Sequence, residues 1–135
     1  MTKSTSLSGE ECGVMNYEST TVRESTVCPG VRYVVLRPSL KKRAEITARV
    51  RRLLAELEYR AAGQTMEDRL AAAELESRID GLYIEWGLVR LENLEIDGEP
   101  CTPALLIEKG PEDLAREIAA AIRNECRLSE EERKN

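Results

Sequence analysis

Two consecutive stretches of this chain carry the same apolar spacing and opposite charge, which leaves few folds open to it. Ile46, Val50, Leu53, Leu54 and Leu57 recur at helical intervals, and Leu75, Ile79, Leu82, Tyr83 and Trp86 repeat those intervals. Each set marks a one-sided helix of 3.6 period. Lys41 to Arg60 holds seven basic residues against three acidic ones, net +4. Glu67 to Glu85 holds six acidic residues against two basic ones, net −4. A helical hairpin joins the two stripes and sets the charged faces against each other.

Local signals fix the limits of that hairpin. Cys28-Pro29-Gly30 is a turn. Val31 to Arg37 is β-branched and aromatic, and reads as a strand that Pro38 stops. Ser39 is placed to cap the basic helix, which should end near Ala62 with Gly63 in the left-handed C-terminal position. Thr65 caps the next helix, with Asp68 in capping-box position. The connection between the two helices is short enough to force an antiparallel return. Gly87 should end the second helix just past Trp86. Leu88 to Ile96 alternates as an extended segment broken at Asn93, and Asp97-Gly98 is a tight turn. Thr102-Pro103 starts a short helix to about Glu108. Pro111 opens a third long helix to about Arg127, with Leu114, Ile118, Ala121 and Ile122 on one face. Ser129 with Glu132 reads as a second capping box, opening a helix that stops almost at once.

These elements make a mostly helical α+β domain over residues 31–135: a helical hairpin, a C-terminal helix and a small antiparallel β element. Met1 to Gly30 holds ten Ser and Thr residues in thirty positions and no apolar period. It reads as a flexible N-terminal arm, with a short extended piece near Thr20 to Arg23. The chain has 135 residues with no Phe, one Trp and four Tyr, so its core is built from Leu, Ile, Val and Ala.

Most chemistries lack their residues here. The sequence contains no histidine, which removes the commonest general base and the imidazole metal sites. No phosphate-binding glycine loop occurs, and Asp97-Gly98-Glu99 lacks the spaced ligands of a calcium loop. Cys12, Cys28, Cys101 and Cys126 are widely and irregularly spaced, unlike zinc or disulfide frameworks. They read as free thiols of a reducing compartment, with Cys101, beside a helix start, best placed for a lowered pKa. No enzyme, cofactor or metal is expected. Net charge is −5, which disfavours broad nucleic-acid or anionic-membrane binding. No secretory leader or membrane span is read, so the chain is expected to be soluble and intracellular.

Trp86 to Glu125 resembles the C-terminal half of tail assembly chaperones from tailed bacteriophages. The resemblance rests on a helix ending in Trp86, the extended piece Leu94 to Pro100 with its Asp97-Gly98 turn, the capped helix from Thr102-Pro103, the break at Pro111, and a final helix bearing Leu114, Ile118 and Ile122. The upstream strand and basic helix, Val31 to Leu57, fit the same layout, so the likeness spans about residues 30–130. The second helix departs from it in being unusually acidic, which leaves the position of a binding groove open.

The resemblance implies a non-enzymatic protein of the host cytoplasm that coats the tape measure protein and helps recruit the tail tube protein. Such a role needs apolar residues left over after the core forms, for which the candidates are Val50, Leu57, Tyr83, Trp86, Ile118 and Ile122. A homo-oligomer is compatible with the same stripes. Two other readings stand beside it: a structural tail-completion or connector protein of the virion, and a small DNA-binding regulator using Lys41 to Arg52.

Overall fold

Caps, prolines and tight turns place nearly every boundary. The computed structural model describes residues 13–134, with side-chain surroundings through residue 127. Strands β1 (Thr20–Glu24) and β2 (Arg32–Leu36) lead into helices α1 (Leu40–Ala61) and α2 (Met66–Gly87). Strands β3 (Leu88–Glu92), β4 (Glu95–Ile96) and β5 (Glu99–Pro100) follow, then helices α3 (Pro103–Lys109) and α4 (Glu112–Lys134). The fold is α+β and mostly α.

Three side-chain caps expected from the sequence are present. Ser39, Thr65 and Thr102 accept from the backbone N–H groups of Lys42, Asp68 and Leu105, each satisfying one of the donors a helix start leaves open. Pro103 then occupies the first turn of α3, where its missing N–H costs nothing. Asp97 and Gly98 both take positive φ, 53° and 82°, and close the β4–β5 hairpin. Asn93, at φ 67°, makes the expected break between β3 and β4.

β2 is the central strand of an antiparallel sheet of order β1-β2-β3. Thr20 pairs with Leu36 and Glu24 with Arg32; on the other side Tyr33 pairs with Leu91. The register shifts between Val34 and Val35, where the ladder skips Val89. Tyr33 and Val35 pack into the core with Ile79, Ile84, Trp86, Leu106, Leu114, Ile118 and Ile122. Leu114, Ile118 and Ile122 are fully enclosed. Truncating any such side chain to Ala typically removes about 2–5 kcal/mol.

Four expectations are corrected. The ordered domain begins before residue 31: Thr20–Glu24 is a paired strand and Ser25 is buried. The polar residues there hold β1 to the body of the protein rather than solvating an arm. Arg23 pairs with Glu125 at 2.5 Å, and Ser25 Oγ and Thr26 N–H donate to Glu117 at 2.7 and 2.8 Å. The arm expected over residues 1–12, with Cys12, lies outside the described residues.

Gly63 does not take the left-handed conformation. Its lack of a side chain serves a close approach instead, since a Cβ there would lie 2.1 Å from Asp68 Oδ2. Ser129 opens no new helix. α4 passes through it to Lys134, because nothing after Pro111 breaks a run rich in helix formers.

The opposed charges of the hairpin meet less than expected. Among the described residues, two ion pairs join α1 to α2: Arg49–Glu85 at 3.5 Å and Arg60–Asp68 at 3.0 Å. The exposed Arg49–Glu85 pair contributes little, so the hairpin is held by its apolar seam and, at the turn, by the part-buried Arg60–Asp68 pair.

Candidate functional site

α2 packs against α1 on one side and α4 on the other. α1 and α4 are tied at one end, where the Arg43 guanidinium donates to the Cys126 carbonyl at 2.7 Å. Along the rest of their length a trough lies open between them, with α2 as its floor.

The trough is two hollows of about 320 and 400 Å³ that share Leu54, Tyr83 and Arg123. α1 supplies Arg43, Thr47, Val50, Leu54 and Leu57 to one wall. Those positions alternate by four and three residues, the spacing of a stripe that runs straight along a helix. α2 contributes Glu76, Ile79, Asp80 and Tyr83 from consecutive turns. The α4 wall carries Arg116, Arg123 and Arg127. Leu54 is 43% exposed, and Leu57 and Tyr83 are half-buried, so the trough presents apolar surface to solvent.

Polar contacts fix its inner edge. Asp80 lies between Arg123, which donates to it, and Arg116 at 3.6 Å. Burial pushes the Asp80 carboxyl up from its ordinary value, against the pull of the two guanidiniums. Arg123 also stacks over the Tyr83 ring at 5.1 Å, and Tyr83 meets Trp86 edge-to-face with centroids 6.4 Å apart. Burial raises the Tyr83 phenol as well.

The six candidate contact residues divide. Val50, Leu57 and Tyr83 line the trough, Val50 mostly buried in its wall. Trp86, Ile118 and Ile122 are packed inside the core and offer a partner nothing in this fold. The reason is α4, whose apolar face turns inward onto α2 and β2. The sequence did not single out Leu54 or the arginines of α4, which line the trough as well. The α1 stripe held the signal for Leu54, but the arginines come from a distant segment that only the tertiary fold brings alongside.

Comparison with protein-family models, curated proteins and solved structures gives no match. Among the described residues, no group of three or more His, Cys, Asp or Glu is placed to hold a metal ion. Cys28 and Cys101 are free thiols. Burial raises the thiol of Cys101, the cysteine best placed by sequence for a lowered pKa. Among the described residues, no helix is long and apolar enough to cross a membrane.

Proposed function

We propose that this protein is a non-enzymatic tail assembly chaperone of the tailed-phage type. It holds an amphipathic helix of the tape measure protein in the cytoplasm of the host and assists assembly of the tail tube around it. The observation that supports this reading is the trough: a solvent-facing strip of apolar side chains among arginines, walled by two helices and floored by a third, in which an amphipathic helix could lie. The likeness of Trp86 to Glu125 to the chaperone family supplies the client's identity. A chaperone must hold its client without reacting with it, which suits a trough lined by Leu54, Leu57, Tyr83 and arginine side chains.

Co-expression with fragments of the tape measure protein tests the reading. The fragments should be soluble and co-purify with this protein, and should aggregate without it. A client that is soluble alone and forms no complex would overturn the proposal. Recovery of this protein in purified virions would move it to the structural tail components, since a chaperone departs before the particle is complete.

A further inference from the structure

The trough is basic in an acidic protein. The chain carries net charge −5. Among the described residues, the charged side chains lining the trough are five arginines, Arg43, Arg51, Arg116, Arg123 and Arg127, and two carboxylates, Glu76 and Asp80. Counted over those residues the trough is net +3.

The carboxylates are not spread evenly along it. Both lie in the hollow at the Arg116 end, where Asp80 already serves Arg116 and Arg123. At the other end Arg43 gives a hydrogen bond to a backbone carbonyl, and Arg127 gives one to the Asn124 side chain at 3.3 Å. Arg51 has no carboxylate partner among the described residues. Arg43 closes the end of the trough against α4, and around Leu54 and Tyr83 the guanidiniums are Arg51 from α1 and Arg123 and Arg127 from α4.

We infer that this trough selects an amphipathic helix whose apolar face is bordered on both sides by carboxylates. The inference rests on the chaperone reading for the client's identity and on the trough alone for its chemistry. An apolar stripe laid on Leu54, Leu57 and Tyr83 puts the flanking side chains of the bound helix beside Arg51 on one side and Arg123 and Arg127 on the other. Glu or Asp there gains charge-assisted, two-pronged hydrogen bonds from Arg51 and Arg127, which have no carboxylate partner among the described residues, whereas Arg123 is shared with Asp80. Lys or Arg there meets like charge, so the rims reject basic amphipathic helices as well as recruit acidic ones. A nucleic-acid backbone would use the arginines but leave the apolar strip uncovered.

The full-length protein is titrated with two designed helical peptides of about 20 residues. They share a Leu seam and differ only in carrying Glu or Lys on the flanks. The Glu peptide should bind at least about tenfold more tightly than the Lys peptide, by a margin that shrinks with salt. Arg51→Glu and Leu54→Asp should each weaken the Glu peptide at least about fivefold. Both positions are exposed, so thermal melts should match the parent. Equal or better binding of the Lys peptide, binding of neither, or binding indifferent to both substitutions would overturn the inference. Displacement of the Glu peptide by a DNA duplex would also overturn it, as would self-association abolished by Arg51→Glu, which would hand the trough to a second copy. Failure of the function reads differently. If the Glu peptide binds and no tape measure fragment does, the trough keeps its chemistry and the chaperone role falls. If a fragment co-purifies unaffected by either substitution, the role stands and the trough assignment falls.

Discussion

Gly81 and Gly87 share α2 but answer to different constraints. A Cβ at Gly87 would lie 2.7 Å from Ile122 Cγ2, inside the core, so the bare backbone there is what lets α4 approach α2. Gly87→Ala should destabilise the protein by about 1–3 kcal/mol, the usual cost of overpacking. In urea titrations that cost should be less than additive with Ile122→Ala, which opens the space. At Gly81 an added Cβ meets nothing within 4 Å. Gly81→Ala should therefore stabilise by about 0.5–1 kcal/mol, through helix propensity alone. Trp86 poses a different question. Its ring is buried, yet among the described residues its indole N–H has no hydrogen-bond partner. Leaving a buried donor unpaired opposes part of what the ring's burial contributes. Trp86→Phe, followed by circular dichroism, should cost under about 1.5 kcal/mol, against about 3–5 kcal/mol for Trp86→Ala.

Elements were legible in the sequence where one residue decides an end. Ser39, Thr65, Thr102 and Asp97-Gly98 act through bonds to neighbours a few residues away, so spacing alone reveals them. β1 was not legible as a strand of the domain, because its anchors lie on α4: Arg23 meets Glu125, and Ser25 and Thr26 meet Glu117. Burial raises the Glu117 carboxyl, but the donors from Ser25, Thr26 and Val27 outweigh it and hold it below its ordinary value. Glu117→Ala should loosen β1 at a cost of about 1.5 kcal/mol, visible as faster amide exchange over Thr20–Glu24. The α1–α2 turn carries the same sign. The Thr65 hydroxyl, then Arg60, hold Asp68 below its ordinary 3.8. A carboxyl with a lowered folded pKa contributes stability that is complete above its unfolded value and disappears as pH falls through the folded one. Acidification below about pH 4 should thus open the Gly63–Thr65 turn, tracked by amide shifts there, and Asp68→Asn should remove that acid dependence.

Across the whole molecule, burial is lopsided. The core gathers the sheet, α3, α4 and the parts of α1 and α2 nearest the sheet, whereas residues 51–74 include no fully buried side chain. That distal half of the hairpin is held by the half-buried Leu53 and Leu57, by the Thr65 cap and by the Arg60–Asp68 pair. Tyr59, Met66 and Leu70 are 61–75% exposed along it. Local opening costs least where few apolar contacts must break, so amide exchange should grade along each helix. Amides of residues 51–74 should exchange through openings well below the global unfolding free energy, while Leu75, Ile79 and the centre of α4 exchange only by global unfolding. The trough straddles this gradient: its α4 wall rests on fully buried side chains, and the Leu54–Leu57 part of its α1 wall does not. A bound helix would then be ordered against α4 and would itself order α1. Added Glu-flanked peptide should slow exchange around Leu54 and Leu57 more than around Arg123, and should leave Tyr59 and Leu70, which do not line the trough, close to their free rates. Equal slowing of Leu54 and Leu70 would mean that the partner clamps the whole hairpin rather than the trough.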